Sequence, residues 1–68
     1  MSICYDKLWK QLIDKKMNKT QLKESAGIST NVVAKLGKNE SVTLESMEKI
    51  CKTLHCNIGD VVEFVSND

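Results

Sequence analysis

An all-α domain of five short helices is the fold that this sequence predicts, on three observations. Apolar residues recur at three- and four-residue spacing along most of the chain, proline is absent, and only three glycines interrupt the pattern. Sixty-eight residues fit one domain, spanning 1–68. A chain this short buries only about 60% of the surface its unfolded form exposes, so its core leaves little surplus stability. No staple compensates: Cys4, Cys51 and Cys56 are odd in number and lack C-x-x-C spacing. With no leader and no apolar run approaching a membrane span, the expectation is a reduced, cytoplasmic protein that has no membrane partner.

Each element follows from its own residues. Tyr5, Leu8, Trp9, Leu12 and Ile13 define a first amphipathic helix over about residues 5–16, with this stripe toward the core. Met17 follows as a buried link, and Asn18 is a good N-cap for a second helix over 19–26, where Leu22 and Ala26 share a face. Gly27 ends that helix, because glycine takes positive φ without a Cβ penalty. Ile28 plugs the corner, and Ser29 can cap a third helix that carries Val33 and Leu36 inward and stops at Gly37. A polar loop over 37–42 leads to Thr43, the cap of a fourth helix with Leu44, Met47, Ile50, Cys51 and Leu54 on one side. Asn57 and Asp60 form a capping-box variant that opens a short fifth helix through Ile58, Val61, Val62 and Val65. Two helices joined by a turn as tight as that at Gly27 follow the helix-turn-helix plan, whose second member fits a DNA major groove.

Net charge is only +1, but its distribution is uneven. Residues 15–38 carry Lys15, Lys16, Lys19, Lys23, Lys35 and Lys38 against Glu24 alone, a local charge of +5. Residues 39–68 hold six carboxylates and two lysines, and residues 1–14 sum to zero. A small globule built this way has one positive side, centred on the two-helix unit, and one negative side. Lysine runs more often only solvate a helix surface; their coincidence with the motif favours a nucleic-acid partner.

The run Met17 to Leu22, the turn Ala26-Gly27-Ile28-Ser29, then Val33 and Leu36, and the Thr43-Leu44-Glu45 start of the next helix resemble the Cro and phage-repressor type of helix-turn-helix regulator, the xenobiotic response element family. The resemblance covers nearly the whole chain. It implies a compact, repressor-like DNA-binding domain that regulates transcription at operator DNA, usually as a two-fold dimer. Lys23 departs from the pattern, standing where many members have a small residue at the helix crossing; its methylene stem could cover the crossing while the ammonium reaches solvent or phosphate.

What the resemblance implies for mechanism is a third helix whose first turn points into the major groove, with Ser29, Thr30 and Asn31 nearest the bases and Ala34 and Lys35 one turn further. Asn31 has the donor and acceptor pair that matches adenine, Lys35 can donate to guanine, and Thr30 or Ala34 can meet a thymine methyl. Lys19, Thr20, Lys23, Lys38 and Asn39 are the phosphate-binding candidates, and Gln21 could reach the backbone or a neighbouring base. The bland reading is that Ser29 only caps, Asn31 only solvates and Lys35 only decorates. Arginine is absent, so bidentate guanidinium forks to guanine are unavailable.

An apolar surplus at both ends, Ile3, Val61, Val62, Phe64 and Val65, suggests a homodimer interface; alternatively Phe64 folds back as a lid on the core of one chain. Cys51, His55 and Cys56 match no metal-ligand spacing and set no expectation of a metal or a thiol switch. No small-molecule ligand or cofactor is indicated. One histidine, with neither a glycine-rich phosphate loop nor a Ser/His/acid cluster, leaves little from which to assemble an enzyme. The rival reading is a protein-interaction adaptor, antirepressor or antitoxin-like, on the same fold; the acidic residues 39–68 favour it and the basic patch argues against it.

Overall fold

Four helices form where the periodicity puts them: α1 (Asp6–Asp14), α2 (Lys19–Ala26), α3 (Thr30–Gly37) and α4 (Leu44–Leu54). They come from a computed structural model that describes residues 1–66; positions 67 and 68 of the expected domain lie outside the described residues. Local hydrogen bonds set the boundaries. Asn18 Oδ1 accepts from the Gln21 N–H at 2.7 Å and Gln21 Oε1 accepts from the Asn18 N–H at 2.9 Å, a reciprocal box that starts α2. Ser29 Oγ and Thr43 Oγ1 accept from the backbone N–H groups of Val32 and Ser46 and so start α3 and α4. Helix α1 is shorter than expected, with Tyr5 outside as its N-cap and Lys16 turned into the left-handed region (φ 54).

The fifth helix does not form. Its capping box is present, with Asn57 and Asp60 bonded reciprocally, but only one 3-10 turn follows, at Ile58–Asp60. The chain then extends into a strand, β2 (Glu63–Val65), antiparallel to a second unexpected strand, β1 (Ser2–Cys4). In this two-stranded sheet Ser2 faces Val65, Ile3 faces Phe64 and Cys4 faces Glu63. The physical reason is the residue set: Val61, Val62, Phe64 and Val65 are β-branched or aromatic, and such residues favour a pleated surface over a helix too short to be stable alone. Ile3, 61 residues away in the chain, is the other half of that preference and is visible only once the ends meet.

The core lies where α1, α2 and α4 converge with the ends of the turn and the terminal sheet: Tyr5, Leu8, Leu12, Leu22, Ile28, Leu36, Met47, Ile50, Leu54 and Val61 are buried. Two expected core residues are outside it. Ile13 is 75% exposed, since Leu8 and Leu12 hold the inward line and Ile13 sits about 100° round the helix from Leu12. Leu44 is 76% exposed, because it opens α4 and helical side chains tilt toward the N-terminus, so it overhangs the end of the core.

Tyr5 ties the start of α1 to the loop before α4: its hydroxyl donates to the Glu40 carbonyl at 2.7 Å. Burial pushes the phenol above its ordinary value of 10.0, and burial likewise raises the Cys51 thiol above 9.0, with smaller contributions from Cys56 and Asp60. Both groups therefore hold their protons longer in the folded chain than in the unfolded one. Stability from them is complete below about pH 9 and declines as pH rises, because the folded state then binds more protons. Urea unfolding followed by Trp9 fluorescence is expected to give a flat midpoint up to that pH and a falling one above it. Tyr5→Phe is expected to cost about 1 kcal/mol at neutral pH and to flatten part of the alkaline decline; an unaltered decline would remove the phenol from this role.

Candidate nucleic-acid interface

Helices α2 and α3 are set across each other by a single left-handed residue. Gly27 has φ 70 and ψ 34, its N–H donates to the Lys23 carbonyl at 3.0 Å, and the Ile28 N–H shares that acceptor at 3.2 Å. A Cβ at Gly27 would meet nothing within 4 Å, so glycine is required there by the backbone angle and not by crowding. Ile28 is buried just beyond and fixes the second helix against the core.

The crossing leaves one face of α3 in solvent. Leu36 is buried and Val32 and Val33 are half-buried, while Thr30, Asn31, Ala34 and Lys35 are exposed. Thr30 and Ala34, like Asn31 and Lys35, are four apart, so these residues form a continuous strip over the first two turns. Ser29 is exposed but its hydroxyl is occupied as the cap of α3. Lys23 is half-buried at the crossing and its Nζ donates to Thr30 Oγ1 at 3.5 Å. Its stem thus covers the crossing as alanine would in a smaller way, and its ammonium rests against the exposed strip.

Two basic side chains of α2 border α3, Lys23 against Thr30 and Lys19 near Gly37. Lys19 opens α2 with its Nζ 4.7 Å from the centre of the Trp9 ring, a cation–π contact. The same Nζ would lie 3.7 Å from a Cβ on Gly37, so Lys19 is held between α1 and the end of α3. Trp9, counted toward the core from its spacing, is only half-buried and positions this lysine; its place on the apolar stripe concealed that role. Thr20, Lys38 and Asn39 are exposed, with Asn39 in the left-handed region (φ 56) at the turn that leaves α3. The side-chain carbonyl of Gln21 is committed to the capping box, which restricts that residue to its amide donors. Among the described residues the only ion pair is Lys49 with Glu45 on α4, at 3.8 Å, so among them the lysines of 15–38 form no ion pair.

The apolar candidates at the two ends divide by position. Val61 is wholly enclosed in the core of the chain, and Ile3 and Val62 are half-buried. Phe64 is 69% exposed and Val65 41%, so Phe64 is not a lid on this core. Among the described residues no group of three His, Cys, Asp or Glu side chains gathers closely enough to hold a metal ion, and no helix is long and apolar enough to cross a membrane.

Residues 7–67 match the family model of the Cro/C1-type helix-turn-helix DNA-binding domain. The chain is 39% identical over 59 residues to the uncharacterized HTH-type transcriptional regulator YozG of Bacillus subtilis (strain 168), an alignment covering 84% of this chain and 70% of that protein. It is also similar to the crystal structure of transcriptional regulator VanUg, Form II, at a TM-score of 0.92 and 45% identity, over 97% of this chain and 88% of the other.

Proposed function

The chain belongs to the Cro/C1-type helix-turn-helix DNA-binding domain family, and from that premise we propose that it regulates transcription by reading an operator with α3 in the major groove. The family is one of DNA-binding domains and not of enzymes. The single observation that carries the finer reading is the exposed strip Thr30, Asn31, Ala34 and Lys35, free of core duties and bordered by lysines that form no ion pair among the described residues. In this reading Asn31 pairs with adenine, Lys35 donates to guanine, and Thr30 and Ala34 meet thymine methyls. Ser29 contributes through its position beside the groove, its hydroxyl being the cap. Lys19, Thr20, Lys23, Lys38 and Asn39 hold phosphates on either side and fix the register.

Selection of bound sequences from a random duplex pool tests this directly, with enrichment of a short, defined motif expected. Lys38→Ala and Lys19→Ala are expected to weaken binding to every sequence alike, by severalfold, whereas Asn31→Ala relaxes the preference at one base position by about 1–3 kcal/mol. A pool that shows no enrichment would favour the adaptor reading, and uniform weakening by Asn31→Ala would move that residue out of base reading. Lys19→Ala also removes the contact with Trp9, so Lys38→Ala is the cleaner probe of a phosphate role.

The working unit in this proposal is a homodimer on a pseudo-palindromic site, with Phe64 and Val65 covered by a second copy, Ile3 and Val62 at the margin, and Val61 supporting them from within. An aromatic and an aliphatic side chain exposed on the terminal strand of so small a domain support it. Two copies related by a two-fold axis would set their α3 helices about one DNA turn apart. Phe64→Ser is expected to shift sedimentation toward the monomer and to weaken operator binding together; a wild-type chain that sediments as a monomer, both free and on operator DNA, would remove the dimer.

A further inference from the structure

The turn that ends α4 brings two thiols together. His55 takes the left-handed conformation (φ 55), the Cys56 N–H donates to the Cys51 carbonyl at 3.0 Å, and the His55 N–H to the Lys52 carbonyl at 3.4 Å. This is the Schellman closure, in which the side chains at the two ends of the six-residue loop meet, frequently as an apolar contact. Here both ends are cysteines, and both line the same surface depression. Because one backbone hydrogen bond joins the two residues themselves, covalent bond lengths keep their Cα atoms within about 7 Å, next to the range of about 4.4–6.8 Å found across disulfides. The sequence spacing alone concealed this, since five residues along a continuous helix would place the pair on different faces.

We propose that Cys51 and Cys56 are a reversible dithiol and disulfide pair, an oxidisable site at the C-terminal end of α4. Both side chains are half-buried and line an open surface depression with Glu48, Lys52, His55 and Asp60, so a small oxidant reaches them. The first attack is assigned to Cys56, whose sulfur accepts a hydrogen bond from Gln11 Nε2 at 3.5 Å, and Cys51 is the resolving thiol. With hydrogen peroxide as the oxidant, the Cys56 sulfur attacks one peroxide oxygen as its S–H bond and the O–O bond break, and the departing hydroxide takes that proton to become water. Cys56 is then a sulfenic acid. The Cys51 sulfur attacks the sulfenic sulfur, the S–O bond breaks, and the Cys51 proton leaves with the oxygen as a second water. Two thiols and one peroxide become one disulfide and two waters, and a small dithiol reverses the change by exchange. None of this depends on what α3 binds.

Cys4, on β1, is a built-in control. Full-length chain treated with one equivalent of hydrogen peroxide is expected to lose two of its three free thiols, to lose two hydrogens in mass, and to remain a single chain on a non-reducing gel. Dithiothreitol is expected to restore all three. Cys4→Ser leaves this reaction intact, whereas Cys51→Ser and Cys56→Ser each abolish the internal cross-link, and peptide mapping finds the link between residues 51 and 56. Retention of three thiols, covalent dimers through Cys4, or an oxygen adduct on one cysteine without a cross-link would overturn the proposal. The thiol count and mass of the unsubstituted chain decide it, so a variant that fails to fold does not weaken the test.

Discussion

Ile50→Ala is expected to destabilise the domain by about 2–5 kcal/mol, which is comparable with the whole stability of about 3–5 kcal/mol that a core of this size supplies. Ile50 is 0% exposed in the centre of α4, the helix that packs against α2, and truncation there leaves a cavity that a small, already taut core cannot close. A large part of the variant is expected to be unfolded at 25 °C. Leu44→Ala, six positions earlier on the same helix, removes an aliphatic side chain from solvent and is expected to change stability by no more than about 0.5 kcal/mol. Urea denaturation of the two variants at one fixed protein concentration separates them, the fixed concentration being needed because dimerisation would add to apparent stability. Equal effects at Ile50 and Leu44 would mean that the division of α4 into an inward and an outward face is wrong. DNA binding by Ile50→Ala should fall in proportion to its folded fraction, since Ile50 is wholly buried and the α3 strip is exposed.

Operator affinity is expected to drop by roughly three orders of magnitude when salt rises from about 50 to 200 mM, if two protomers together neutralise about six phosphates. All the cationic side chains apart from His55 are lysines, which act on phosphate as point charges without the fork that arginine brings, so in the proposed binding mode counterion release is expected to carry a large share of the affinity. Lys38→Ala is expected to lower the slope of log K against log salt by about two in a dimer, one contact per protomer. A slope near zero for the unsubstituted chain would remove the lysines of 15–38 from the phosphate role. A steep slope that Lys38→Ala leaves unchanged would move that role to Lys19, Lys23 and Lys35.

The helix-turn-helix was legible because it is built from short-range chemistry. Asn18, Gly27, Ser29 and Thr43 act on amides or angles within three or four residues of themselves, and each performs the local role that its identity indicates. The segment after Asp60 was not legible in the same way. Its cap signal is real, but one turn of helix had to compete with pairing to Ser2–Cys4, and residues at opposite ends of the chain give no periodic sign of each other. Trp9 and Lys23 were half legible: spacing put Trp9 on the inward stripe of the first helix and the family resemblance put Lys23 at the helix crossing, while the direction of each polar or aromatic surface depends on neighbours from another helix.

By itself, the sequence determined four helices with the N-caps of the last three, the left-handed hinge at Gly27, and the concentration of positive charge around the two-helix unit. These depend on hydrogen bonds and angles that close within a turn, and on a charge order that folding cannot change. The tertiary structure decided the exchange of a fifth helix for a terminal sheet, the exposure of Ile13, Leu44 and Phe64, the fixing of Lys19 over Trp9, and the meeting of Cys51 with Cys56. Each of those depends on which side of an element faces the core and on where a helix stops, and in a chain this small one residue of helix is enough to change the face.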